Sequence, residues 1–361
     1  MRAPEAGYVP ALTGLRGVAA WWVVLYHFSD PLWGVVPAWI YEFVRQGYLA
    51  VDLFFILSGY VIYLTSVDSL QSMKWTSISR FWINRLIRIY PLHIVLMVFY
   101  LLNPLALWFF SESGVGVGRY DWGYYFASVV LVQNWGLFDD LQWNIPAWSI
   151  STEFAAYLVA PVLMGCILIR LRHSLIWTLL GGLVGAAGVA LLFGLSGKTS
   201  VGEAIPTLGV ARCVLEFWMG LCLGALCRVQ GRVVSQTNGL RSVLIFLLFI
   251  SAFWLVVAGV PNYWFVPVTF FVLIYLLVQG DAVFSRFLSS PVAHYLGVIS
   301  YSTYLVHYFV KDWVKFLSDS IGLYQLAIYL VVCAVSSVVL YRWVEKPARG
   351  YLKRYLLGVS S

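Results

Sequence analysis

The chain has 361 residues, of which 61% are hydrophobic and 11% charged, and its mean hydropathy is +0.83. An ordinary soluble domain carries about 25% charged residues, so a water-soluble globule is excluded and an all-α, polytopic membrane bundle is expected. The net charge of +7 then reports on membrane topology, with membrane lipids as the surroundings and no nucleic acid as partner.

In chain order, eleven apolar segments lie near residues 11–28, 47–66, 86–110, 122–136, 147–169, 174–195, 205–227, 241–260, 263–279, 292–317 and 323–343. Their lengths are close to the roughly 17–25 residues that cross a bilayer as helix. Short loops between them leave no room for a separate soluble domain, so one integral-membrane domain over 1–361 is predicted. The first segment lacks a basic leader and a small-x-small cleavage site and is interrupted by Arg16 and His27. It is therefore expected to be a retained helix rather than a signal peptide. The fourth, WGYYFASVVLVQNW, is short, aromatic and flanked by polar loops, which suits an interfacial or re-entrant helix.

Charge supports that choice. If the fourth segment does not cross and the N-terminus is cytoplasmic, sixteen of the 23 basic residues fall inside, including Arg170, Arg172 and the five of the C-terminal tail. Five fall outside (Arg45, Arg119, Lys198, Lys311 and Lys315), and only Arg16 and Arg212 lie within spans. The bias is positive-inside. Ten spans are predicted, with both termini cytoplasmic and residues 111–146 forming an extracytoplasmic excursion.

Ionisable residues inside spans are costly, so each raises a functional question. Arg16 and His27 are eleven residues apart, close to three helical turns, which sets them on one helix face with about 16 Å of rise between them. Asp52 falls about one turn inward from the outer end of the second span, Glu153 about two turns inward in its own, and His307 in an outer half. Two histidines and two carboxylates from four helices are thus expected at one depth, where they would meet in the bundle interior. The alternatives are packing histidines and a helix-capping or interfacial aspartate. Asp52 is read first as such a structural group. His27 is read as functional, because a neutral residue would cost less there and an arginine shares its face; Glu153 and His307 stay open between the two.

In RFWINRLIRIYPLH, Arg85 and Arg88 are three residues apart and suited to fork around a phosphate. Taken alone, with Arg80, they read as a positive-inside anchor; Arg16, to which a phosphate site would lead, argues the other way. GVGVGR at 114–119 does not sit between a strand and a helix, and H-E-x-x-H, Walker A and G-x-S-x-G patterns are missing. No metal site, nucleotide fingerprint or serine elbow is expected, and Ser58 reads as a small packing residue. The five cysteines, Cys166, Cys213, Cys222, Cys227 and Cys333, lie in apolar segments without paired spacing and are expected to be inert. No repeat of 20–50 residues and no pair of matching halves is visible.

Six motifs remain: LTGLRGVAAWWVVLYH, VDLFFILSGYVI, NRLIRIYPLH, WSISTEF, LGVISYSTYLVH and YRWVEKPAR. In that order, and nearly end to end, they resemble the membrane-bound acyltransferase family 3. The opening motif of that family is a basic residue, ten others and a histidine, and later ones include R-x-x-R, Trp-Ser-x-Ser-x-Glu and Ser-Tyr-x-x-Tyr-Leu-x-His. The resemblance implies a ten-helix O-acyltransferase in the inner membrane of a bacterium. It would carry an acyl group, usually acetyl, from cytoplasmic acyl-CoA to a hydroxyl of a cell-surface carbohydrate or lipid-linked glycan. It also implies that Arg16 and His27 are the essential pair and that Arg85 and Arg88 bind CoA phosphates. Some relatives carry a fused extracytoplasmic SGNH hydrolase-like domain; a chain ending at Ser361 is expected to be the stand-alone form.

The mechanism expected from these residues has Arg16 steering the donor inward. His27 acts as general base, with Glu153 or Asp52 to orient it. A covalent acyl-histidine or acyl-serine relay is the variant within the enzyme class, and a proton-coupled transporter or flippase of a glycan or lipid precursor is the alternative outside it. Trp122, Trp135, Trp143 and Trp148 are candidates for acceptor contacts, or equally an aromatic belt.

Overall fold

A computed structural model describes residues 8–110, 119–167, 174–230, 238–280, 283–318 and 320–358. Among the described residues there is no strand. The first third holds α1 (Pro10–His27), α2 (Ala38–Arg45), α3 (Ala50–Leu70), α4 (Trp75–Tyr100) and α5 (Leu102–Phe110). The segment predicted as an excursion holds α6 (Trp122–Val129), and after it come α7 (Trp148–Cys166), α8 (Leu175–Leu195), α9 (Ile205–Gln230), α10 (Asn238–Val257) and α11 (Val266–Val278). The last part holds α12 (Phe284–Leu288), α13 (Pro291–Val298), α14 (Ser300–Phe316), α15 (Leu323–Leu340) and α16 (Lys346–Leu357), the last two joined by a π-helical turn at Tyr341–Glu345.

Local sequence explains several of these limits. Pro10 and Pro291 start α1 and α13, where a missing N–H costs nothing. Asp121, Ser174 and Ser290 cap α6, α8 and α13 by accepting backbone N–H bonds. Helix α6 has eight residues, about 12 Å of rise against roughly 30 Å of hydrocarbon, so it does not cross.

Among the described residues, seven helical rods are long and apolar enough to span: Ala38–Leu70, Trp75–Phe110, Ile145–Cys166, Leu175–Leu195, Ile205–Gln230, Gly239–Val257 and Leu323–Leu357. The other three of the ten predicted crossings are the 18-residue α1 with its arginine, the 13-residue α11, and α13–α14, which breaks at Ile299. Two of these, α1 and α14, carry the polar groups described below; hydropathy under-reads a helix that holds a site.

Two large apolar clusters fill the bundle. One gathers Phe55, Tyr63, Leu92, Tyr157, Phe217 and Leu305, and the other Leu15, Leu53, Ile56, Tyr60, Met219 and Leu273. Helix α3 feeds both, which is why it is apolar on all sides. In lipid, such packing rests on close contact more than on the hydrophobic effect. Glycine supplies the contact: a Cβ on Gly59 or Gly220 would strike the facing backbone of α9 or α3, and one on Gly14, Gly17 or Gly297 would do so between α1 and α12–α13. Helix α10 lies at the periphery, with Ile245 its buried contact.

Candidate active site

Helices α1, α3, α4, α7 and α14 converge on a cavity of about 90 Å³. Arg16 enters from α1, Ser58 from α3, Arg85 and Arg88 from α4, Glu153 from α7, and Tyr301 and Tyr304 from α14. Glu153 is held by neutral donors: Ser58 Oγ donates to its Oε1 at 2.6 Å, and so does the Tyr157 hydroxyl. Among the described residues, none of the three arginines forms an ion pair with a carboxylate, and Arg85 Nε is buried without a hydrogen-bond partner. Three guanidiniums and one carboxylate, Glu153, which pairs directly with none of them, line one small space and leave it net positive, a receptor for an anion.

Two ties fix the walls. The Trp82 indole donates to the Tyr157 carbonyl at 3.0 Å, joining α4 to α7. The Tyr301 hydroxyl donates to the Ile89 carbonyl at 2.5 Å, joining α14 to α4 close to Pro91.

Three turns along α1, at its C-terminus, His27 Nδ1 lies 3.0 Å from the Val23 carbonyl oxygen and 3.2 Å from His307 Nε2. A carbonyl only accepts, so Nδ1 is the nitrogen that carries the hydrogen, and this geometry assigns the tautomer. The His307 Nε2 lone pair then shares that hydrogen, and His27 Nε2 keeps a free lone pair. Tyr26 and Tyr308 stand edge-on to the His27 ring, with centroids 4.8 and 5.3 Å away. His307 is fully buried, whereas His27 is half-buried and so reachable.

Helix α14 runs beside α1 with the same logic. Ser300, Tyr301 and Tyr304 line the arginine cavity, and one turn beyond Tyr304, His307 meets His27. Tyr304 is pinned by Ser149 Oγ at 2.8 Å and the Pro146 carbonyl at 3.1 Å. Two adjacent helices thus each carry one polar group or more in both sites.

The expected gathering of two histidines and two carboxylates at one depth is corrected: only the histidines meet. Glu153 joins the arginines, and Asp52 is spoken for elsewhere. Its carboxylate accepts a hydrogen bond on Oδ1 from Arg212 Nε of α9 at 2.9 Å, and its Oδ2 lies 2.7 Å from Nη2 of the same guanidinium in an ion pair. Arg212 also donates to the Val201 carbonyl at 2.7 Å and has Glu216 at 3.7 Å. All three side chains are buried, with the Phe55 and Trp148 rings beside the guanidinium. Asp52 is therefore neither an orienting partner of His27 nor a side-chain cap of α3; it neutralises a buried arginine.

The excursion is described from residue 119; residues 111–118, like the loop holding Arg170 and Arg172, lie outside the described residues. Asp121 Oδ1 accepts from Tyr124 N at 2.7 Å, and the Asp121 carbonyl accepts from the Trp143 indole at 2.7 Å. Trp143 and Trp148 are buried packing residues, which removes them as acceptor contacts; Trp122 and Trp135 remain exposed. Pattern reading missed Tyr304, which lies within the quoted LGVISYSTYLVH, Tyr157, which lies one helical turn beyond Glu153, and Glu216, four residues from Arg212. Among the described residues, no group of three metal-ligating side chains gathers anywhere.

The model of the family described as an acyltransferase domain matches residues 9–342. The chain is 24% identical over 368 residues to the O-acetyltransferase OatA of Staphylococcus aureus strain NCTC 8325 / PS 47, and equally to the OatA of strain COL. Each alignment takes in 95% of this chain and 57% of the relative, so the chain spans little more than half the length of these curated relatives. No solved structure matches.

Proposed function

Because the chain belongs to the acyltransferase domain family over residues 9–342, we propose that it is a membrane O-acyltransferase. Its acyl group, acetyl in the first place, comes from cytoplasmic acyl-CoA and goes to a hydroxyl of a cell-surface carbohydrate or lipid-linked glycan. The observation that carries this is the cavity of three arginines without carboxylate partners, joined along one face of α1 to a histidine with an open Nε2. The positive-inside bias supports ten crossings with both termini cytoplasmic, and the staphylococcal relatives support a bacterial cytoplasmic membrane.

In the proposed reaction, Arg85 and Arg88 hold phosphate oxygens of the donor by charge-assisted bonds, and Arg16 draws its flexible arm into the bundle. The thioester carbonyl then reaches His27. Neutral His27 takes the acceptor hydroxyl proton on Nε2 as the oxygen attacks the carbonyl carbon. The C–S bond breaks, CoA leaves as a thiolate that is then protonated, and His27 gives up its proton. His307 and the Val23 carbonyl steady Nδ1–H throughout. No metal enters this scheme.

The test is free-CoA release from acetyl-CoA by purified wild type, His27→Ala and Arg85→Ala/Arg88→Ala, with and without a mixed glycan-lipid extract. His27→Ala should abolish turnover while binding donor, and the arginine variant should need more donor. Absence of both release and donor binding in the wild type would overturn the acyl-CoA reading and favour the proton-coupled transporter or flippase.

A further inference from the structure

On the His27 side of the bundle, outside the machinery above, lies a second cavity of about 320 Å³. That is within the roughly 300–1,000 Å³ of small-molecule sites. Arg119, Lys315, Asp312 and Asn103 line it together with the Tyr120 and Trp313 rings. Two cations, Arg119 and Lys315, and one carboxylate, Asp312, face the cavity, with Lys311 beside Asp312 and Asp30 beside Lys315. Arg119 Nη2 bonds Asp312 at 3.1 Å and Lys315 Nζ reaches Asp30 at 3.4 Å, while Lys311 Nζ comes no nearer than 4.0 Å to Asp312. Cations are in excess, and Arg119 Nε is buried with no hydrogen-bond partner.

One ring links this cluster to the histidine pair. Lys311 Nζ sits 3.3 Å from the Tyr308 ring centroid and the Arg119 guanidinium 5.4 Å from it, while the same ring meets His27 edge-on. A ligand in the cavity is therefore about one aromatic ring away from the proposed base. Aromatic walls offer flat faces to a sugar ring, and the unbalanced cations offer bonds to an anion.

We propose that this cavity is an acceptor subsite for an anionic saccharide, a sugar residue bearing a carboxylate or a phosphate. Its ring packs against Trp313 and Tyr120, and its anionic group lies between Arg119 and Lys315. The assignment rests on the acyltransferase reading for its role and deepens it by naming the acceptor's charge. Sugar and anion are recognised together, which a lipid headgroup without a sugar ring does not satisfy.

Saturation-transfer NMR tests it on the full chain in phosphatidylcholine nanodiscs. The probes are methyl β-glucuronide for a carboxylate, glucose 6-phosphate for a phosphate, and methyl β-glucoside as the neutral control. At least one anionic sugar should outbind the glucoside roughly tenfold, as one charge-assisted bond implies, and the arms show which anion is preferred. Lys315→Gln should remove the preference and Lys315→Arg should retain it, which separates charge recognition from misfolding. His27→Ala should bind the anionic sugar as wild type does. Equal saturation by all three sugars, a preference unchanged in Lys315→Gln, or displacement by added phosphatidylglycerol would overturn the subsite. Anionic-sugar binding without CoA release would leave the subsite and remove the enzyme; CoA release without an anionic preference would do the reverse.

Discussion

Val23 offers only a backbone carbonyl to the site, yet that oxygen decides which nitrogen of His27 is free to act. His307 completes the arrangement by receiving the same hydrogen. His307→Phe, which removes the acceptor, should lower the turnover of CoA release by about 10²-fold with the acetyl-CoA KM little changed, while His307→Gln should keep much of the rate. Arg212 makes a different prediction, of stability. Removing it as Arg212→Met leaves Asp52 and Glu216 buried without a cation and should cost about 3–5 kcal/mol, read as a lowered unfolding temperature in detergent. The spacing of Arg16 and His27 was legible because helical periodicity is local. The Asp52–Arg212 pair was not, because its partners lie 160 residues apart and periodicity says nothing about which helices touch. Glu153 was misplaced because its depth was counted from an assumed outer end of its helix, which set it level with His27, whereas it lines the cavity of Arg16, Arg85 and Arg88.

Helix α1 is the element on which the proposed chemistry is strung, and glycine contacts with α12 and α13 hold its first half in place. Inserting one alanine after Ala20 would turn His27 by about 100° relative to Arg16. Acetyl-CoA should still bind, measured by calorimetry, while CoA release should be lost. Elements with strong end signals were readable in advance: Ser290–Pro291 opens α13, and the brevity of α6 was anticipated from its polar flanks. The break at Ile299 and the π-helical turn were not, since Gly297 and Pro347 beside them do not by themselves say whether a helix ends, kinks or continues. That π-turn turns Glu345 inward to accept from Ser302 Oγ at 2.8 Å, tying the end of α15 to α14.

At the scale of the whole molecule, composition and charge were enough to foresee a polytopic helical bundle, while among the described residues seven of the ten proposed crossings are helical rods long and apolar enough to span. Orientation is open to a direct check. A cysteine at Lys198 should react with an impermeant maleimide in intact cells, and one at Lys346 only after permeabilisation; the reverse pattern would invert the proposed topology. The arginine cavity and the histidine pair lie about 16 Å apart along α1, roughly half the thickness of the hydrocarbon core. On the proposed reaction, the polyanionic head of the donor stays at the arginine mouth, and only its uncharged arm with the thioester spans that distance. A full charge crossing 100 mV exchanges about 2.3 kcal/mol with the field; the acyl group exchanges none. The proton alone couples turnover to voltage. Passed to the CoA thiolate, it leaves the reaction electrically silent, because neutral thioester and hydroxyl become neutral thiol and ester; released outward from His27, it leaves a thiolate to be protonated from the cytoplasm, and one positive charge moves outward with every acyl group delivered. CoA release from sealed proteoliposomes clamped at opposite potentials distinguishes a voltage-indifferent catalyst from one that works against the cell's inside-negative potential.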